Sequence, residues 1–295
     1  MWSKTLPPEV LLITKNHIPV SDLRTHVCLY LSSPVFAALY DSDPHADRFW
    51  TRACWDCGIW RLPEEDLAAV VDWRLIAVDC IQKDGFCKHP QCGEALLEYN
   101  RECMQEVEGD IDEPFQPVHI TEEYGGESLI PHRAFGKIRF RPESEVNLFN
   151  RYDLELDAYL RKDESSRDVE DNRTYLEEHP LLARSFATFV PTSSIFLVDL
   201  AGFGRSQYKM ETWRPITVYD VLSIIHQSLD KGLFVDDVAD YANLHESCLQ
   251  GQPMSLGSVF FKLRTLRGIF TMCPIIRLEH AENTEYGPAL SFDQQ

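Results

Sequence analysis

The stretch Leu6–Leu23, LPPEVLLITKNHIPVSDL, decides how the chain is read. Pro8 suits the first turn of a helix, where its missing N–H costs nothing, and Val10 to Ile13 give that helix a wide apolar face. Pro19 ends it. Ser21 and Asp22 then suit the start of a second helix carrying Leu23, Val27, Tyr30 and Leu31. SSPVFAALY begins a third, with Ser33 as cap, Pro34 at the first helical position, and Val35, Ala38 and Leu39 facing one way. Helices this short carry more apolar surface than they can bury on one another. The excess either packs on the residues that follow or is left for another protein.

Outward from this stretch, residues 46–104 continue as helices. FWTRACWDCGIW carries an aromatic-rich turn, and Trp73, Ile76, Ala77, Cys80 and Ile81 recur at helical spacing before Gly85. A further helix from about Pro90 places Cys92, Ala95, Leu96, Tyr99 and Cys103 on one stripe. From Gln105 to Ile130 there are eight acidic residues and no Lys or Arg, the composition of an acidic linker or surface loop. AFGKIRFR alternates like a strand, and Asp153–Asp171 reads as an exposed helix and loop. From His179 the chain turns apolar again. SSIFLVDL reads as a buried strand, RPITVYDVLSIIHQSLDKG as a helix capped by Thr217 with Asp220 near its positive end, and CPIIRLEH as a closing strand. VDDVADYANLHESCL and SVFFKLRTLRGIF read as two more helices. The expected class is α+β, with helices at 1–45 and 46–104, an acidic linker with a possible strand at 105–178, and a mixed unit at 179–295.

Composition narrows the function. The chain has 295 residues, 44% apolar and 25% charged, with a formal net charge of −19. A nucleic-acid surface needs concentrated Lys and Arg, and anionic membranes repel such a chain, so neither is an expected partner. No apolar run is long enough to span a bilayer, and the N-terminal residues lack the pattern of a secretory signal. Nine cysteines, an odd number, point to thiols in a reducing compartment, cytoplasm or nucleus.

The opening stretch, followed by CLYLSSPVFAALY, resembles the F-box, a module of about forty residues that docks onto the adaptor of cullin-based ubiquitin ligases. The matching positions are Leu6, Pro7, Glu9, Val10, Leu11, Leu12, Ile18, Pro19, Asp22 and Leu23. Thr14 and Lys15 stand where the family usually carries an apolar pair, and the third helix has Phe36 in place of a tryptophan. FWTRACWDCGIW, VDWRLIAVDCIQKDGFCKHPQCGEALLEYN, HPLLARSFATFVP and ITVYDVLSIIHQSL are similar to F-box-like proteins of mushroom-forming fungi. The resemblance implies a non-catalytic substrate receptor joining the adaptor to a client protein. Leu6, Pro7, Val10, Leu11, Leu12, Ile18, Pro19 and Leu23 would then face the adaptor. The alternative is a stand-alone interaction module that has lost adaptor binding.

Six of the nine cysteines lie between Cys54 and Cys103. Cys54 and Cys57 form C-x-x-C, and Cys87 and Cys92 flank His89 in CKHPQC. Zinc takes four N or S ligands from two close pairs, which Cys54, Cys57, Cys87 and Cys92 offer, with His89 as a substitute. Core thiols are the competing reading, because cysteine is among the most buried residue types. No catalytic signature accompanies them. GFGRS (Gly202–Ser206) lacks the third glycine of a dinucleotide site, no G-x-S-x-G elbow occurs, and His226 reads as a packing residue.

Overall fold

The computed structural model describes residues 7–67, 70–86, 93–111, 115–118, 129–137, 176, 179–198, 208–229, 232–233, 236, 238–239, 261, 263–265, 276–284 and 287–294. It combines helices and sheets and divides into two compact units, residues 1–115 with 179–185, and residues 116–178 with 186–295. This division differs from the sequence boundary at 178, because a short helix beyond it completes the first unit.

The first unit is helical. α1 (Pro8–His17) begins at Pro7 and Pro8, and its last turn ends at Ile18, whose extended backbone sets up Pro19. α2 (Leu23–Ser32) is capped by Asp22, which accepts from Thr25 N–H at 3.1 Å. α3 (Pro34–Asp41) is capped by Ser33, which accepts from Phe36 N–H. α4 (Ala46–Asp56) ends in a turn where Gly58 takes φ 62°, a region glycine enters without steric cost. α5 (Trp73–Lys83) is capped by Asp72 and buries Trp73, Ile76, Ala77, Cys80 and Ile81. Just past it, a Cβ on Gly85 would sit 2.7 Å from Ile81 Cα, so only glycine fits that turn.

α6 (Glu94–Glu106) starts after Gly93, later than Pro90, and Cys92 lies outside the described residues. Its buried stripe is Leu96, Leu97, Asn100, Cys103 and Met104; Ala95 is exposed and Tyr99 only half-buried. The expected stripe was therefore rotated by part of a turn. α7 (Pro180–Arg184) closes the unit. Arg184 C=O accepts from Trp60 N–H at 2.9 Å, Ser185 bridges to Ile59, and Asn100 Nδ2 donates to Ser185 Oγ at 2.9 Å. The Arg184 guanidinium grips both oxygens of Glu65 at 2.6 and 2.8 Å. Burial pushes the Glu65 carboxyl up, but the Arg184 contact outweighs it and holds the group below its ordinary value.

The second unit is mixed. β1 (Ile130–Pro131) pairs antiparallel with β2 (Thr188–Phe189). A four-stranded sheet has the order β4 (Tyr208–Glu211), β3 (Ser194–Val198), β6 (Gly287–Gln294), β5 (Ile276–Thr284). β3 runs antiparallel to β4 and parallel to β6, and β5–β6 is an antiparallel hairpin. The stretch at Arg133–Lys137 is a helical turn rather than the start of a strand, and Ala134 and Phe135 are buried there; residues 138–141 lie outside the described set. Leu129 and Leu176 are buried too, so this region supplies core as well as acidic surface.

α8 (Val218–Leu229) carries the expected capping pair: Thr217 N–H donates to Asp220 at 2.8 Å, and Asp220 N–H donates back to Thr217 Oγ1. Arg214 adds two bonds to Asp220, at 2.7 and 2.8 Å, all three residues being buried. The expected helix at 153–171, GFGRS, and most of the two expected helices after Gly232 lie outside the described residues.

Candidate docking surface

The first helix is built against the usual rule. Among the described residues it buries Leu11 and Lys15, one turn apart, at 1% and 5% exposure. Lys15 reaches inward: its Nζ donates to Leu39 C=O at 3.2 Å and to Asp43 at 3.3 Å, and sits over the rings of Tyr40 and Phe49 at 4.5 and 5.2 Å. The opposite side carries Ile13 at 55% exposure, with Val10 at 41% and Leu12 at 45%. A cation is tied inside and aliphatic side chains stand outside. Leu31 on α2 and Val35 on α3 are exposed as well.

Beneath the helices an aromatic cluster holds the frame. Tyr40 stacks on Trp50, with ring centroids 5.2 Å apart, and Phe49, Tyr30 and His26 meet them mostly edge-on. His26 is buried between Tyr40 Oη at 2.8 Å and Pro19 C=O at 3.0 Å, and burial lowers its pKa. Pro19 thus ends α1 and also anchors α2 through the His26 ring.

Of the residues expected to face a partner, Val10 and Leu12 are exposed, Pro7 and Pro19 are exposed, and Ile18 is half-buried. Leu11 and Leu23 are enclosed by their own chain, so they are core rather than contact residues, and Leu6 lies outside the described residues. Ile13, Leu31 and Val35 join the exposed set. Helical geometry gives part of this from sequence: once Leu11 and Lys15 face in, Ile13 lies about 200° round from Leu11. The missing piece was that a lysine would mark the inner face.

Of the expected zinc quartet, Cys54 and Cys57 are among the described residues. Cys54 donates to Trp73 C=O at 3.9 Å and Cys57 to Ser21 C=O at 3.2 Å, so the two thiols serve different carbonyls. Burial pushes Cys57 up to about 12 and Cys54 well above its ordinary value. Both thiols are buried, as the core-thiol reading expects. Cys87, His89 and Cys92 lie outside the described residues, and no group of three metal-ligating side chains occurs among those described.

A cleft of about 330 Å³ between α4 and α6 is lined by Arg52, Trp55, Asp56, Arg101, Met104 and Glu108, but Arg52 is paired to Asp56 and Arg101 to Glu98. In the second unit His132 is buried, accepts from Ala134 N–H, and is driven down to about 3 by burial, which suits a packing group. The side chain of His226 lies outside the described set. Among the described residues no helix is long and apolar enough to cross a membrane. The chain matches no family model, no curated protein and no solved structure.

Proposed function

We propose that this chain is a non-catalytic, F-box-type substrate receptor of a cullin-based ubiquitin ligase, in which the outer face of α1 docks onto the adaptor. The supporting observation is the apolar outer face itself: Val10, Leu12 and Ile13 exposed on a helix whose inner face is secured by Leu11 and Lys15. Fully burying such a side chain is worth roughly 1.5–3 kcal/mol, and since these three are about half exposed, covering the remainder contributes roughly half of that each before the costs of association. A receptor of this kind catalyses nothing. It raises the effective concentration of a client near the ubiquitin-charged enzyme, and the net charge of −19 favours clients with basic surfaces. Cytoplasm or nucleus is the compartment in which such a ligase works.

One observation favours the alternative, a stand-alone interaction module. Leu11 and Leu23, which the F-box resemblance assigns to the adaptor, are buried in the chain's own core. Affinity capture separates the readings. Purified adaptor should be retained at micromolar concentration by the wild-type chain and lost with Val10→Asp and Ile13→Asp together. Failure of the folded wild type to retain it removes the ligase reading and leaves the alternative.

A further inference from the structure

Another cleft of the first unit, about 400 Å³, opens where the end of α3 meets the first turns of α4 and α5. Four of its lining side chains are aspartates, Asp41, Asp43, Asp47 and Asp72, and one is an arginine, Arg74. Arg74 spans Asp41 at 2.8 Å and Asp72 at 3.1 Å. Asp43 takes Lys15 and the His45 N–H. Asp47 is exposed, and its carboxylate has no partner among the described residues. With Lys15 counted, four negative charges face two positive ones, so the cleft keeps a surplus of two.

An independent observation comes from the buried wall. Trp50 lines the cleft at 1% exposure, and its indole N–H is buried without an acceptor. The rings packed on it, Tyr40, Tyr30 and Phe49, leave that donor unbonded. A buried tryptophan N–H ordinarily finds an acceptor, so this one calls for an explanation. The rim is apolar, with Val70 at 80% exposure beside Val71 and Pro44.

We propose that this cleft takes a basic side chain, arginine or lysine, from an extended segment of a partner protein, with Asp47 pairing its charge and a backbone carbonyl of the same segment accepting from Trp50 Nε1–H. A basic residue within a peptide matches every feature. Its charged head answers the surplus of carboxylates, and its methylene stem lies along Val70 and Pro44. The neighbouring peptide bond supplies the carbonyl. A bare divalent cation fits less well. Calcium takes six to eight oxygens, yet three of the four carboxylates are already committed, and no group of three metal-ligating side chains occurs among the described residues. A small amine answers the charge but leaves the indole unbonded. The site does not rest on adaptor docking, because Val10, Leu12 and Ile13 line no part of it.

An NMR titration of the full chain, following the Trp50 indole N–H, reads the site directly. The probe is the blocked peptide acetyl-Gly-Arg-Gly-amide, and the control is the same peptide with uncharged citrulline in place of arginine. The arginine peptide should move the Trp50 indole resonance saturably. The citrulline peptide should bind about tenfold or more weakly, the loss expected for one charge-assisted hydrogen bond. Asp47→Asn, at an exposed position, should weaken the arginine peptide by a similar factor. Methylguanidinium alone and calcium chloride alone should leave the indole resonance in place. A Trp50 indole indifferent to the arginine peptide at millimolar concentration overturns the site. Equal binding of the citrulline peptide, or of the arginine peptide by Asp47→Asn, overturns the charge pairing. The same shift with methylguanidinium or calcium overturns the peptide as the occupant.

Discussion

α1 and α6 are helices of the same unit with opposite arrangements. α6 follows the ordinary amphipathic plan: leucine, cysteine and methionine face in, glutamates face out, and its one buried polar side chain, Asn100, is bonded to Ser185. α1 puts a lysine in and isoleucine, valine and leucine out. Both satisfy their buried polar group, so both are stable solutions. What differs is the outer face. The α6 surface is content in water, and the α1 surface gains from being covered. A helix's apolar residues therefore do not identify its buried side; the polar partner inside does.

The largest expected effect is on the α6 side of this comparison. Leu96→Ala should cost about 2–5 kcal/mol in denaturant unfolding, because Leu96 is fully enclosed and its removal leaves a cavity. A loss of less than half a kcal/mol would mean α6 does not carry the core. Next comes Lys15→Ala, which strands Leu39 C=O and Asp43 and should cost about 1–3 kcal/mol. Lys15→Met keeps the volume and should recover part of it. If both variants match wild type in thermal unfolding, the inward lysine is not what secures α1.

A pH experiment sharpens the same point. The His45 N–H foremost, with Lys15 adding, holds the Asp43 carboxyl below its ordinary value against partial burial. Its contribution is present above the ordinary carboxylate range and is lost as pH falls through the lowered folded value. Acidification should therefore release α1 amides to exchange before those of α6, and Asp43→Asn should remove that difference. The smallest effect is on the outer face: Ile13→Ser should leave stability within about 0.5 kcal/mol in the same unfolding assay, since water already covers much of that side chain. A larger loss would mean that Ile13 is packed on its own chain.

Much of the local structure was legible in the sequence. Ser33, Asp22 and the Thr217–Asp220 pair announced three helix starts, because capping needs only residues three apart. The α5 stripe from Trp73 to Ile81 was legible for the same reason. What escaped was set by distant partners. Arg184 and Glu65 lie 119 positions apart, and nothing in either neighbourhood marks the pairing that draws α7 into the first unit. Lys15 read as a departure from an apolar pair, because its acceptor at Asp43 and its aromatic seat exist only once α3 and α4 have folded. The α6 register slipped because Asn100 looks like an outward residue until Ser185 arrives beneath it.

The most direct test of the central claim, that the outer face of α1 exists to be covered, is calorimetric titration of purified adaptor into the folded chain at several temperatures. Burying Val10, Leu12 and Ile13 should give binding at micromolar concentration or tighter, with a negative heat-capacity change that shrinks in Ile13→Ser. Binding indifferent to that substitution, or no heat at any temperature from a chain shown to be folded, would contradict it.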